Sequence, residues 1–382
     1  ALAFLAFGLW LRLGRLDRTR LRALLFVPIS FIVFFAHTFG WGTLGLLCFS
    51  AEAVRQHDRG AGWRRSGMWA ALHAMVMALP ALVILAWRSN IEGPASREWF
   101  AWNLKLEALL GVLRDRWMTF DWLSLAVVAL VILYAIFSRR LTLSRNLAFS
   151  ALVLLAGFLL LPWVIFSSAY ADMRLLPFVF AVAILAIRFR RETHLPTARV
   201  LAVLGLAFFL VRIGANTVSL AMAADDQRSK LAALEHVPMG ARVASLTGRG
   251  CGREWPMARN AHLGAMVIVR RHGFSNDQWV TPGLNLLRLR NRDAGAFSAD
   301  PSQIVRPNGC RPRSWRIDRA LGALPREHFD YLWLIQPPPY DPRRVAGMQR
   351  VWSGPGSQLF RVNPGGAGRP PATPRTGTAP GR

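Results

Sequence analysis

The sequence predicts a polytopic α-helical membrane protein of about eight spans, followed by an extracytoplasmic α/β domain. Eight apolar stretches occupy the first 221 residues, arginine-rich and arginine-poor connections alternate between them, and short strand and helix patterns alternate after Asp225. About 20 apolar residues in a helix cross the ~30 Å hydrocarbon core of a bilayer. The stretches lack the period of two that a transmembrane β-barrel requires, so helices are the expected spanning elements.

The expected spans form a membrane domain over residues 1–224. Several are short, and we expect their ends to continue into the flanking loops. The spans are Ala1–Leu11 (incomplete), Leu24–Ala36, Trp41–Val54, Met68–Trp87, Trp122–Ser138, Leu147–Ser167, Leu175–Phe189 and Val200–Ala221.

The cations of the short connections orient this expected bundle. Arg12–Arg22 contains five arginines and Arg55–Arg65 contains four, whereas His37–Thr43 contains no lysine or arginine. Cations accumulate in short cytoplasmic loops, so every second loop is expected in the cytoplasm. The connection Arg88–Asp121 and everything after Ala221 then lie outside it. We therefore expect a multi-pass protein of the bacterial inner membrane with a periplasmic carboxy-terminal domain.

The long outer connection, residues 88–121, has an amphipathic pattern. Apolar residues recur at helical spacing from Trp102 to Trp117, while charged residues fall largely elsewhere. The pattern predicts a helix in the headgroup region that is anchored by tryptophans. Either this is a plain surface helix that seals the bundle, or it is a platform that helps a lipid-linked substrate reach an outer site.

The segment 225–363 predicts a small periplasmic α/β domain, because short strands and helices alternate along it. The tail, 364–382, is rich in Pro, Gly and Thr and is predicted to be disordered. Within the domain we expect helices at Gln227–Glu235 and Met257–Arg271 and strands at Arg242–Leu246, Phe329–Ile335 and Gln358–Val362.

The composition argues against a nucleic-acid partner, although the formal net charge is +26. Nearly all cations are arginine, since Lys105 and Lys230 are the only lysines, and many lie in the connections between spans. No basic run is interleaved with aromatic residues as single-strand binding requires. A GC-rich genome and membrane topology explain the charge. The lipid bilayer is the expected partner.

Two cysteines, Cys251 and Cys310, lie in the expected outer domain. A disulfide between them is the preferred interpretation in an oxidising compartment, and it would close a loop of about 60 residues worth ~4 kcal/mol. Two free thiols are the alternative. Zinc binding with His262 and His272 is disfavoured because no closely spaced ligand pair is present, so no metal site is assigned.

The segment Tyr170–Pro177 contains the strongest candidates for chemistry. It places Asp172 and Arg174 at the expected outer mouth of the bundle, directly before a span. Ionisable residues at that depth are costly unless paired and are candidates for function. Arg174 could bind a phosphate through two hydrogen bonds, and Asp172 could orient Arg174, cap the helix or contribute to a metal or acceptor site. A capped helix start with a snorkelling arginine is the structural alternative.

This segment, the outer amphipathic loop and the closing strands Phe329–Ile335 and Gly356–Val362 give the chain a resemblance to a family. It resembles the GT-C class of polyprenyl-phosphate-dependent membrane glycosyltransferases. The resemblance implies sugar transfer from a polyprenyl-phosphate donor to an envelope acceptor on the outer face of the inner membrane. In that class an acid of the first outer loop acts as base or acceptor anchor. This chain starts with Ala1 inside an apolar run, and we expect the main base to lie upstream of it.

For this activity we assign phosphate binding to Arg174 and Lys105, and among the acidic residues of the outer connections we favour Asp172 as the catalytic residue. No cofactor is required by any motif, although a divalent metal stays open. The alternative function is a non-catalytic polytopic envelope protein whose outer domain docks a partner. The acids available in the outer connections are Glu92, Glu98, Glu107, Asp115, Asp121 and Asp172.

Overall fold

The computed structural model describes residues 1–88, 96–165, 168–190, 195–252, 254–280, 287, 289, 291–311 and 315–363. The chain divides into two compact units, Ala1–Ile213 and Gly214–Arg382. The division falls inside the long helix Leu195–Leu231, earlier than the boundary expected after residue 224. The tail predicted to be disordered, 364–382, lies outside the described residues.

The first unit is mainly helical. Two short antiparallel strand pairs accompany the helices: β1 (Leu141–Leu143) with β4 (Ile187–Phe189), and β2 (Val164–Ile165) with β3 (Ser168–Ala169). The helices are α1 (Leu2–Arg15), α2 (Thr19–Ala36), α3 (Thr38–Asp58), α4 (Trp63–Ala74), α5 (Ala81–Arg88), α6 (Trp102–Leu110), α7 (Met118–Phe137), α8 (Arg145–Leu160), α9 (Leu176–Leu185) and the first part of α10 (Leu195–Leu231).

Helix α3 is the centre of this unit, because α1, α2, α4 and α8 all pack against it. Its Leu44 and Leu47 are fully buried in a core that also contains Trp10, Phe26 and Leu154. In a membrane-embedded bundle such side chains hold the helices together by van der Waals packing, since lipid tails are as apolar as leucine. The core holds together the helix ends that carry the buried charges described below.

Fewer helices than expected are long and apolar enough to cross a membrane. Among the described residues three qualify: Thr19–Ala36, Met118–Phe137 and the stretch Ala198–His236. Arg145–Leu160 and Met173–Leu185 are apolar but shorter. A helical membrane protein is supported, whereas the expected eight spans are not.

Local breaks interrupt or shorten two of the expected spans. The expected span Met68–Trp87 is interrupted, because α4 ends at Ala74, a 3-10 turn covers Met75–Ala78, and α5 begins only at Ala81. Pro80, immediately before α5, has no backbone N–H to continue a helix. The expected span Leu175–Phe189 ends early as a helix, since its last residues form β4 and pair with β1.

The amphipathic connection is also more divided than its pattern predicts. Helix α6 ends at Leu110, and turns and bends at 111–116 separate it from α7. The prediction of a continuous helix from Trp102 to Trp117 was therefore wrong beyond Leu110, where α6 ends. Lys105, expected on the polar face, is 3% exposed. Residues 89–95 of this connection lie outside the described part of the chain.

The second unit is an α/β domain with a seven-stranded mixed sheet, ordered β10-β11-β9-β5-β7-β8, in which β6 also pairs with β5. Strands β9, β5, β7 and β8 run parallel, while β10 and β11 are antiparallel to their neighbours. The elements are β5 (Arg242–Gly248), α11 (Met266–Arg271), β6 (Phe274–Ser275), β7 (Ile304–Arg306), β8 (Trp315–Arg316), α12 (Ile317–Ala323), β9 (Tyr331–Ile335), β10 (Gln349–Gly354) and β11 (Ser357–Arg361).

Both faces of the central strands are buried. Consecutive residues of β9 point to opposite faces of the sheet, as in any strand. Leu332 is therefore part of one core and Trp333 is part of another. The core around Leu332 contains α12, and the core around Trp333 contains α11. This explains why β9 is a continuous apolar run in the sequence.

The expected strands of this domain are present, at Arg242–Gly248, Tyr331–Ile335 and Ser357–Arg361. The expected helix Met257–Arg271 was wrong in its first half, because α11 covers only Met266–Arg271 after a 3-10 turn. Close packing accompanies this break. A Cβ added at Gly264 would come within 2.6 Å of the Ser245 Cβ.

Cys251 and Cys310 form a disulfide, with Cα atoms 5.2 Å apart. It joins the loop after β5 to the loop after β7. The remaining cysteine, Cys48, is a buried free thiol in α3.

Candidate functional site

The candidate residues Lys105 and Asp172 lie together in the first unit. The Lys105 Nζ donates to Asp172 Oδ2 at 2.8 Å, and it also donates to the backbone carbonyls of Phe158 at 2.7 Å and Leu161 at 2.9 Å. Lys105 is 3% exposed and Asp172 is 1% exposed. All three ammonium hydrogens can therefore be satisfied inside the protein. The pair links α6, the end of α8 and the start of α9.

Asp172 also serves as the cap of the helix that follows. Its Oδ1 accepts a hydrogen bond from the backbone N–H of Met173 at 2.8 Å, at the start of the 3-10 turn Met173–Leu175. Helix α9 follows directly, with Pro177 in its first turn, where proline is favoured. One carboxylate therefore holds both a buried cation and a helix start.

Arg174 lies two residues beyond this cap and is half-buried. Its guanidinium carbon lies 4.3 Å from the ring centroid of Phe39, a cation–π geometry. Its Nη2 makes a long hydrogen bond of 3.4 Å to the carbonyl of Ala169. No carboxylate pairs with Arg174 within the described ranges, so its guanidinium keeps donors for another acceptor.

A small hairpin lies beside Arg174. Strands β2 and β3 pair Val164 with Ala169, and the Trp163 ring meets the Tyr170 ring at 4.8 Å between centroids. Arg97 exchanges backbone hydrogen bonds with Val164 at 3.2 Å. The connection 88–121, the hairpin and the Asp172 cap are thus joined in one local structure. Residues 166 and 167 lie outside the described chain.

The other acids of the connections expected on the outer side occupy separate positions. Asp121, at the start of α7, is buried and accepts from Arg212 Nη1 at 2.6 Å, while Arg212 Nη2 donates to the Leu113 carbonyl at 2.7 Å. Arg212 is not among the site residues predicted from the sequence. An arginine in the middle of an expected span was the available signal, because such a charge needs a partner. Glu98 is exposed, and Glu92 lies outside the described residues.

A second buried acid outside the expected site is Glu52 in α3. It accepts hydrogen bonds from Arg22 at 2.8 Å, from Arg55 at 2.8 Å and from Gln56 at 2.6 Å. Glu52 is 1% exposed, and the hydrogen bonds from these three side chains stabilise the negative charge of its buried carboxylate. The network ties α2 to the end of α3.

In the second unit, His262, Asp277 and Asp300 place potential metal-ligand atoms within 4.8 Å of one another. His262 Nδ1 lies 2.9 Å from Asp277 Oδ1, and the other Asp277 oxygen accepts from the backbone N–H of Ala265 at 3.0 Å. Gln303 donates to Asp300. Both carboxylates are thus hydrogen-bonded, and the His262–Asp277 contact is an ion pair when His262 is protonated. The hydrogen bond to Asp277 raises the pKa of His262, against the desolvation that lowers it.

Comparison with known proteins yields no match to a family model, to a curated protein or to a solved structure.

Proposed function

We propose that the protein is a membrane glycosyltransferase that takes a sugar from a polyprenyl-phosphate donor, with Arg174 as the phosphate contact. One observation carries the proposal: the half-buried Arg174 lies beside the buried Lys105–Asp172 pair, and among the described residues its guanidinium makes one long hydrogen bond, to Ala169. A guanidinium with free donors binds phosphate oxygens through two parallel hydrogen bonds.

The chemistry gives this contact a defined task. The bond between the anomeric carbon and a phosphate oxygen breaks, and a new bond forms from the acceptor hydroxyl oxygen to that carbon. The hydroxyl proton passes to a base, and the charge of the bond-breaking electrons stays on the polyprenyl phosphate. A cation that contacts the phosphate stabilises this charge as it develops. Arg174 has the free donors for that contact, whereas Lys105 is occupied.

Lys105 and Asp172 have roles in this proposal that differ from those expected from the sequence. Lys105 uses its hydrogen bonds on Asp172 and two carbonyls, so we assign it to positioning. Asp172 fixes the helix start that carries Arg174, and we assign it to positioning as well. The proposed setting is the bacterial inner membrane, with Arg174, the envelope acceptor and the second unit on the periplasmic side.

A transfer assay tests the proposal. The full chain is reconstituted into liposomes that contain a radiolabelled polyprenyl-phosphate sugar and a membrane-envelope extract as acceptor. Arg174→Ala should lower transfer by about 10²–10³-fold, the range for loss of one group that stabilises transition-state charge. Arg97→Ala removes an exposed arginine of the same outer connection and serves as the matched control. Equal transfer by wild type and Arg174→Ala would remove Arg174 from the reaction.

A further inference from the structure

Buried polar side chains gather in the second unit where β5 meets β6 and β7. Strand β6 pairs with the first residues of β5 and β7 pairs with the last ones, both in parallel. The Asn276 Oδ1 accepts from the backbone N–H of Ser245 at 2.7 Å, and the Gln303 carbonyl accepts from that of Thr247 at 2.6 Å. Open parallel sheets bind ligands outside the carboxyl ends of their strands, so a ligand site is expected at this edge.

Three side chains of metal-ligand type meet at this edge from three different segments. His262 lies in the connection between β5 and α11, Asp277 follows β6 by two residues, and Asp300 precedes β7 by four. Each offers one ligand atom, and these atoms all lie within 4.8 Å of one another. The Cys251–Cys310 disulfide joins the connection that carries His262 to the loop after β7. The cluster is therefore held by the sheet and by a covalent link.

The distances within the cluster are close to those between the ligands of one metal ion. His262 Nδ1 lies 2.9 Å from Asp277 Oδ1. Nitrogen and oxygen ligands lie about 2.0–2.2 Å from zinc, so two neighbouring ligands of one ion are roughly 3.0–3.4 Å apart. The His262 side chain is 68% exposed, so its ring can rotate to close the remaining distance to Asp300. A divalent cation can thus replace the proton that His262 and Asp277 share in the ion pair.

Hydrogen bonds hold both carboxylates in place. The backbone N–H of Ala265 donates to Asp277 Oδ2 at 3.0 Å, and the Gln303 Nε2 donates to Asp300 Oδ1. Each carboxylate oxygen has two lone pairs, so these bonds leave acceptor capacity for a metal ion. Carboxylates that bind metals are normally oriented by hydrogen bonds of this kind. The same contacts therefore fix the carboxylates for metal binding.

A buried hydroxyl without a partner lies beside the cluster. Ser245 is fully buried, and its Oγ has no hydrogen-bond partner among the described residues, although buried polar groups usually have one. A Cβ added at Gly264 would lie 2.7 Å from the Ser245 Oγ and 3.2 Å from Asp277 Oδ2. The hydroxyl and the carboxylate therefore border the same small space, which glycine at position 264 keeps open. A water molecule bound to a metal ion at Asp277 would give the hydroxyl its partner.

We propose that His262, Asp277 and Asp300 bind one divalent transition-metal ion, Zn²⁺ or Mn²⁺. One imidazole nitrogen and two carboxylates suit such ions, whereas Ca²⁺ takes about six to eight oxygen ligands. The two carboxylates balance the charge of the ion, and His262 binds it as the neutral imidazole. Three protein ligands leave a coordination position for water or for an oxygen of a further ligand. The site lies within the second unit and does not depend on the proposed glycosyl transfer.

Metal titration of the full chain tests the proposal. The chain, purified without a histidine tag and stripped with EDTA, is titrated in detergent with Zn²⁺ and with Mn²⁺, and bound metal is measured by mass spectrometry. Saturable binding of one ion per chain and a higher melting temperature are expected with at least one of the two ions. His262→Gln and Asp300→Asn should each lower the affinity at least about 100-fold, since loss of a residue that only orients a ligand already costs about 10–100-fold.

A matched control and a spectroscopic readout separate this site from general surface binding. His236→Gln/Asp293→Asn removes an exposed histidine and an exposed acid elsewhere in the unit and should keep wild-type affinity. X-ray absorption of the bound ion should show imidazole scattering that is missing in His262→Gln.

Three results would overturn the proposal. They are the absence of saturable binding of both ions by the wild-type chain, wild-type affinity in His262→Gln, and equal losses in the control and in His262→Gln/Asp300→Asn. The melting temperatures of the metal-free variants show that each remains folded, and His262→Gln changes a largely exposed side chain.

Discussion

The ammonium of Lys105 lies 2.8 Å from the carboxylate of Asp172, and both side chains are almost completely buried although 67 residues separate them in the chain. Charges removed from water are tolerated when each has its partner and its remaining hydrogen-bonding capacity is used. Here two backbone carbonyls and one backbone N–H complete the pair. The start of α9, and with it Arg174, is therefore held by a buried charge pair.

Breaking this pair should destabilise the first unit. Lys105→Met leaves a buried carboxylate and Asp172→Asn leaves a buried ammonium, each costing roughly 3–5 kcal/mol in free energy of unfolding. The double variant Lys105→Met/Asp172→Asn should cost less than the sum of the single changes. Denaturant unfolding of the full chain in detergent measures this. Additive losses would mean that the two side chains do not interact.

The predicted orientation can be tested by cysteine labelling in spheroplasts. Arg97→Cys should react with an impermeant thiol reagent, and Arg64→Cys should react only after permeabilisation. Both positions are exposed, whereas the native cysteines are buried or disulfide-bonded and give little background. Labelling of Arg64→Cys but not Arg97→Cys in intact spheroplasts would reverse the orientation.

The His262–Asp277 pair should make stability depend on pH. Because the pKa of His262 is raised in the folded chain, its contribution is fully present below its ordinary value of 6.5. That contribution is lost as pH rises through the folded pKa. The melting temperature of wild type minus that of His262→Gln should therefore be largest at low pH and shrink towards alkaline pH. The His262 side chain is 68% exposed, so the effect should be small. A difference that grows with pH would contradict the pair.

Helices and strands could be predicted from the sequence where a local pattern of apolar residues determines them. The apolar run of β9 and the strand at Arg242 were found in this way, and α7 follows from its continuous apolar composition. The break around Pro80 was missed because the apolar residues continue across it. The break before α11 coincides with the close approach of Gly264 to Ser245, a contact between distant segments that no local pattern reveals.

The candidate site was predictable only in part. The capping pattern around Asp172 and the adjacent Arg174 could be recognised locally. The partner of Asp172 could not, because Lys105 lies on another helix and no spacing rule links the two. The same holds for Arg212 with Asp121 and for Arg22 with Glu52. Charges within apolar segments were the available signal, but their partners depend on helix packing.

Direct binding of polyprenyl phosphate, the lipid part of the donor, is the measurement that tests the central claim. The full chain in phosphatidylcholine nanodiscs is titrated with a polyprenyl phosphate, and binding is measured for wild type, Arg174→Lys, Arg174→Ala and Arg97→Ala. Wild type and Arg97→Ala should bind equally, Arg174→Lys should bind more weakly because lysine lacks the two-pronged donor geometry, and Arg174→Ala should lose at least about tenfold in affinity. Wild-type affinity in Arg174→Ala would contradict the assignment of Arg174 to the donor phosphate.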